Sequence, residues 1–269
     1  MLSISRVALL QSVVVVAAAC GDSPAGASAA PDASPADDAG GGTGGGMVLI
    51  PAGPFMMGCN DAVDTQCMPD ERPFHQVTLS AFEIDPTEVT LAEFAKCLAA
   101  NVCAGSEAPT TNPVDWPIGY ISWDVANAYC TWVGKRLPTE AEWEKAARGA
   151  DGRKYPWGNT DPDCSHANTQ GCGGRVVGVG SLPLGASPYG VLGMAGNVSE
   201  WVEDLYSAAY YANSPASDPV NTVGGGRDRA LRGGDYASPG NLTRVSTRFA
   251  HPQGSGQSYT GIRCARSSP

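Results

Sequence analysis

From Met47 onward the apolar residues fall into short runs whose period changes several times. Met47–Ile50, closed by Pro51-Ala52-Gly53, predicts a strand and turn, and the alternation in Val77–Ile84 (VTLSAFEI) predicts a second strand. Leu91, Phe94, Ala95 and Leu98 then recur at helical spacing. Thr90 and Glu93 ahead of them form a capping box, each side chain satisfying a backbone N–H of the first turn, so a helix runs through Ala99. A second helix opens at Ser122, gathers Val125, Ala128, Tyr129, Trp132 and Val133 on one face, and stops at Gly134. After Arg136-Leu137-Pro138, Thr139 and Glu142 box a third helix that ends before Gly149. Beyond it the chain is rich in Gly, Pro, Asn and Asp, with brief apolar runs such as Ala230-Leu231 and Ile262. The pattern describes an α+β domain with low regular secondary structure.

The first 46 residues follow another logic. Arg6, the apolar runs Val7–Leu10 and Val13–Ala19, and the small residues ahead of Cys20 predict an export signal over residues 1–19. Ala17-Ala18-Ala19-Cys20-Gly21 resembles the lipid-attachment box of bacterial lipoproteins, which makes Cys20 the expected lipidation site; the alternative is an ordinary cleavage near Ala19. Residues 20–46 hold no aromatic and no large aliphatic side chain, so they cannot offset their own ordering entropy and form a tether. As a flexible coil it reaches roughly 25 to 30 Å. Residues 47–269 are then a single domain, exported to the bacterial cell envelope on its periplasmic or outer side and touching membrane only through the N-terminal lipid.

Charge narrows the partners. The chain has 27 acids against 17 bases; four of the acids lie in the tether and Arg6 lies in the signal, which leaves the domain at 23 against 16. Nucleic acid is excluded, because phosphate binding needs clustered Lys and Arg. Setting Cys20 aside, eight of the nine cysteines remain, an even set in an exported chain. Cys59 and Cys67, Cys97 and Cys103, and Cys164 and Cys172 are close neighbours in loop-like sequence, which leaves Cys130 for Cys264. His75, His166 and His251 are widely separated without metal-ligand spacing. Asp115, Glu203 and Asp235 could supply a hydrolytic carboxylate pair, but nothing in their spacing selects them over a solvated or capping role. The six Trp residues read as core packing rather than a sugar-stacking platform.

A series of motifs, in order along the domain, resembles the sulfatase-modifying-factor family, whose enzymes generate formylglycine. It comprises Met47–Gly53 with Met57-Gly58, Glu71-Arg72-Pro73, Thr87-Glu88-Val89-Thr90, Gly134–Glu144 (GKRLPTEAEWE), Tyr155–Gly158, Gly196–Trp201 (GNVSEW), Arg232-Gly233-Gly234 and Gly261–Ala265 (GIRCA). The resemblance implies a variant C-type-lectin-like fold stabilised by disulfides, and it supports the Cys130–Cys264 bridge. It implies calcium at two places: the carbonyls of Gly196 and Val198 with the carboxylate of Glu200, and Asn168 with Thr169. The first set has lost one donor, because Gly193 falls where the family has Asn or Asp, and the second lacks its acidic partner segment. The family's oxidation uses a copper-binding cysteine pair after the Gly-Gly motif. Here Ser238 stands where the first cysteine would be, the segment is about three residues short, and no cysteine lies between Cys172 and Cys264. A hydroxyl does not replace a thiolate as a copper ligand, so copper and a catalytic residue are not expected. What remains is a monomeric module binding peptide or protein through the family's cleft, with Ser238, Asn241, Arg244 and Arg248 at its rim. The alternative is a formylglycine-generating-type oxidoreductase acting on protein cysteine.

Overall fold

Four short strands open the domain in the computed structural model, which describes residues 46–104, 112–223 and 226–268. They are β1 (Val48–Ile50), β2 (Gly53–Met57), β3 (His75–Leu79) and β4 (Phe82–Ile84). Three helices follow: α1 (Leu91–Ala99), α2 (Trp123–Trp132) and α3 (Glu140–Arg148). The C-terminal half supplies β5 (Ser199–Leu205), β6 (Asp228–Arg232), β7 (Arg248–Pro252), β8 (Thr260–Gly261) and β9 (Ala265–Ser267). All of these belong to one compact unit spanning 44–269. The signal, Cys20 and the tether up to residue 45 lie outside the described residues.

The strands form three sheets. In the first, β4 lies between β1 and β9, so Val48, Ile84 and Ala265 stand abreast and the two ends of the domain are knitted together. The second is the β2–β3 hairpin. The third runs β7-β6-β5-β8, antiparallel except for the parallel β5–β8 pair.

All three helices start where their caps predict. Thr90 and Thr139 close full capping boxes with Glu93 and Glu142, and Ser122 accepts from the amide of Val125. Which face is buried differs from the expectation for α1: Phe94 and Cys97 point inward, whereas Ala95 and Leu98 are exposed. The Cys97–Cys103 bridge explains this, because it fixes Cys97 as the inward position. Trp132 likewise lies at the surface instead of in the core. The expected strand Val77–Ile84 is two strands in different sheets. Between them Ser80 donates from both its amide and its hydroxyl to Asp218, 138 residues away, which turns the chain out of the hairpin.

Helix α3 is the axis of the domain, and all nine of its residues are buried even though five are charged. It packs between the β2–β3 hairpin and the sheet containing β5 and β6. A buried charge is costly unless paired and hydrogen-bonded; four of the five here are paired with an opposite charge, and Lys145 is hydrogen-bonded. Glu140 takes Arg248 and Arg232, Glu144 takes Arg232 and Arg148, and Glu142 takes Arg136. Lys145 donates to the carbonyls of Pro51 and Gly53. Trp143 and Trp201, both fully buried, anchor the apolar cores on either side. Four disulfides staple the loops, Cys59–Cys67, Cys97–Cys103, Cys130–Cys264 and Cys164–Cys172, the pairs that the spacing predicts.

Candidate functional site

The cleft is built by the chain as it leaves β6. Gly233 and Gly234 both adopt positive φ, and a Cβ on Gly233 would meet the Trp143 ring at 3.2 Å, so the chain passes close over the core here. It then tightens into a turn. Asp235 accepts the amide of Ala237 at 2.7 Å, while Ser238 accepts the amide of Asp235 through its hydroxyl at 3.1 Å and returns its own amide to the carbonyl of Asp235 at 3.0 Å. The carbonyl of Ser238 takes the amide of Gln170. Ser238 is thus half-buried and engaged in closing the turn, and Asn241 further along is exposed.

A cavity of about 370 Å³ lies on one side of this loop, lined by Asp235, Ser238, Leu231, Phe249, His251 and Tyr259 among others. A second, of about 360 Å³, lies on the other side and includes Gly240, Asn241, Tyr155 and Asp161. The loop borders both cavities, through Ala237–Pro239 and through Gly240 and Asn241. His251 is the notable polar group in the first. Its ring leans on Trp201 and Tyr259, its Nε2 is buried without a hydrogen-bond partner, and burial holds its pKa below the usual histidine value against the pull of Asp228.

Arg244 and Arg248 do not form the rim. Arg244 is fully buried beneath the loop. Its Nε donates to the carbonyl of Asn241, and its terminal nitrogens reach Glu71 and Asp64. Arg248 is bound to Glu140 by two bonds and lies over the rings of Tyr206 and Tyr211. Their carboxylate partners come from distant parts of the chain, and that draws both cations inside. Arg244 therefore supports the loop from below rather than lining its edge.

Several of the calcium donors carried over from the family already have partners within the fold. The carboxylate of Glu200 accepts from Trp143 at 2.7 Å and from Nε and Nη2 of Arg263 at 2.9 and 2.8 Å, so its charge is already answered by a cation. The carbonyl of Thr169 accepts from Cys172, and that of Asn168 from Asn197. Glu88, within the Thr-Glu-Val-Thr motif, carries a feature the sequence does not reveal. A Cβ on Gly193 would fall 2.4 to 2.6 Å from its carboxylate, which means that Glu88 fills the space a side chain at 193 would need. Oε2 of Glu88 and Oδ1 of Asn168 are buried without a hydrogen-bond partner, Arg263 standing 4.0 Å from the former, and both residues line a cavity of about 20 Å³, room for one water-sized group. Burial, with Glu200 nearby and only partial relief from Arg263, pushes the Glu88 pKa up to about 7.

The donors for copper are not there either, because all eight cysteines of the described residues are in disulfides and Ser238 offers a hydroxyl. Among the described residues the one His/Cys/Asp/Glu group close enough to share an ion is Cys59, Cys67 and Glu71, whose two sulfurs are bonded to each other. The three histidines stay apart: His75 contacts Pro73 and Ser214, His166 pairs with Asp163, and His251 lines the cleft. Of the three carboxylates weighed for hydrolysis, Asp235 lines the cleft and the other two do not.

An α+β frame with little regular structure, stapled by disulfides and carrying a loop-built cleft beside a buried, charge-paired helix, defines a scaffold whose chemistry is presented on loops. Residues 33–268 match the Sulfatase-modifying factor enzyme 1-like domain, and the chain belongs to that family. It is 34% identical to the formylglycine-generating enzyme of Streptomyces coelicolor, over 82% of this chain and 88% of that enzyme. It is 31% identical to the hercynine oxygenase of Mycolicibacterium smegmatis, over 81% of this chain and 60% of that protein. Among solved structures, PvdO from Pseudomonas aeruginosa superposes with a TM-score of 0.73 at 28% identity, covering 82% of this chain and 94% of PvdO.

Proposed function

We propose that this chain is a non-catalytic module of the bacterial cell envelope that binds extended peptide or a protein segment in the cleft on either side of loop Ala237–Thr243. The observation that carries this reading is the state of the sulfur: Ser238 stands in place of a cysteine, and every cysteine of the described residues is paired. The cleft keeps its two cavities without a thiolate to do oxidation. Export and a lipid anchor at Cys20 belong to the same proposal. They rest on the pattern of residues 1–20, and four disulfides suit an oxidising compartment. The protein acts as a monomer held off the membrane by its tether.

Formylglycine formation on the same scaffold is the second reading, favoured by the likeness to the Streptomyces coelicolor enzyme. One experiment separates the two. The protein is incubated with copper, dioxygen, a thiol reductant and a Cys-x-Pro-x-Arg peptide, and the peptide is then weighed. The binding reading expects unchanged mass. A loss of about 18 Da, the conversion of thiol to aldehyde, would establish the enzyme instead. In parallel, Ser238→Tyr and Asn241→Tyr, which obstruct the two cavities, are expected to weaken peptide retention on the immobilised protein.

A further inference from the structure

Resting on the peptide-binding reading, we propose that the cavity over β6 and β7 receives a basic side chain of the bound peptide, lysine or arginine, with Asp235 as its counter-ion. The cavity has an apolar floor of Leu231, Phe249 and Tyr259, and no Lys or Arg lines it. That is the shape a long amphipathic side chain wants, because its methylene stem lies on apolar surface while its charged head reaches a polar group. Asp235 supplies that group at the rim. Its carboxylate accepts one backbone amide, from Ala237, and no cation lies within 4.0 Å of it among the described residues.

Its neighbours support the assignment. Asp161, which lines the neighbouring cavity, is paired with Lys154, so its charge is already met inside the molecule. His251 brings an imidazole whose unpartnered Nε2 can accept but whose burial opposes a positive charge, so it leaves the cavity without a competing cation. The hydroxyls of Ser238 and Tyr259 add acceptors. An acidic ligand would meet Asp235 with no compensating donor charge, and a purely apolar one would leave the carboxylate desolvated and unpaired. The domain's excess of acids, 23 against 16, steers a basic partner toward it.

The test uses the full chain, immobilised, and a peptide library of random flanks around a fixed centre of Lys, Arg, norleucine or Glu. Retained peptides are quantified by mass spectrometry at low ionic strength and again at physiological salt. Lys- and Arg-centred peptides are expected to be enriched about tenfold over norleucine, and Asp235→Asn should abolish the enrichment. Asparagine keeps the acceptor for the Ala237 amide, so this variant preserves the turn, and an unchanged thermal melt verifies it. Asp235→Lys is expected to turn the preference toward Glu-centred peptides. Retention with no preference for the basic centre, or a preference that survives Asp235→Asn, overturns this assignment while leaving the peptide-binding reading in place. If no peptide is retained from any library, both fall.

Discussion

Arg244 lays its two terminal nitrogens on the two oxygens of Glu71, each at 2.7 Å, in a site where neither side chain is more than marginally exposed. The same guanidinium holds Asp64 at 2.8 Å and, through Nε, the carbonyl of Asn241. Loop Ala237–Thr243 is therefore tied to the Cys59–Cys67 loop by one side chain, with 180 residues of sequence between Asp64 and Arg244. Arg244→Leu strands two buried carboxylates, and losing one partner of such a pair costs about 3 to 5 kcal/mol. Urea unfolding should show that loss, and amide exchange of residues 239–243 should accelerate. An unchanged exchange rate there would refute the support role.

The disulfides are expected to differ in weight. The Cys130–Cys264 bridge closes a separation of 134 residues and Cys164–Cys172 one of 8. On the chain-entropy account, replacing the first pair by alanines costs about 5 kcal/mol and the second about 2.5 kcal/mol. Denaturant titrations of the two double variants measure the ranking, and equal losses would contradict it.

Stability should depend on pH through Glu88. Its carboxyl titrates near 7 in the fold against an ordinary value of 4.5. Below 4.5 folded and unfolded chains both hold the proton. Between 4.5 and 7 only the folded chain keeps it, so stability is lost as pH rises through that window, on the order of 3 kcal/mol in full. Glu88→Gln keeps the group neutral and retains an acceptor for Asn197, which now donates to Oε1 at 2.9 Å. The variant should match the parent near pH 4.5 and exceed it at pH 8. A gap that stays constant with pH would remove Glu88 as the cause.

Calcium is expected to do little. Because Arg263 already neutralises Glu200, millimolar CaCl2 should move the melting temperature by less than about 1 °C, the signature of negligible linkage. A larger, chelator-reversible rise would show that the donors rearrange around an ion.

The parts of this fold written in local sequence were legible. Thr90-to-Glu93 and Thr139-to-Glu142 lie three residues apart, and both boxes form as written. Three of the four disulfides join near neighbours, and elimination delivered the fourth. What depended on distant partners was hidden. The break between β3 and β4 is made by Asp218, and the burial of Arg244 and Arg248 is made by Glu71 and Glu140. Arginines in a Gly-rich stretch look solvent-facing until the opposing acids are placed. Of the four residues expected at the rim, Ser238 and Asn241 border the cleft; His251 joins them from β7, where no local pattern marks it.

Glu88 and Gly193 constrain one another under substitution. A side chain at 193 and the carboxylate at 88 claim the same few ångströms, and position 193 holds a φ of +75° besides. An asparagine or aspartate at 193 would collide with Glu88, while trimming Glu88 alone would leave Asn197 only the longer bond to the carbonyl of Val177, at 3.3 Å. A larger residue at 193 therefore needs room that only a change at Glu88 would open. The two positions behave as one unit under mutation, a lock in which the empty place at 193 is the keyhole and the Glu88 carboxylate the key.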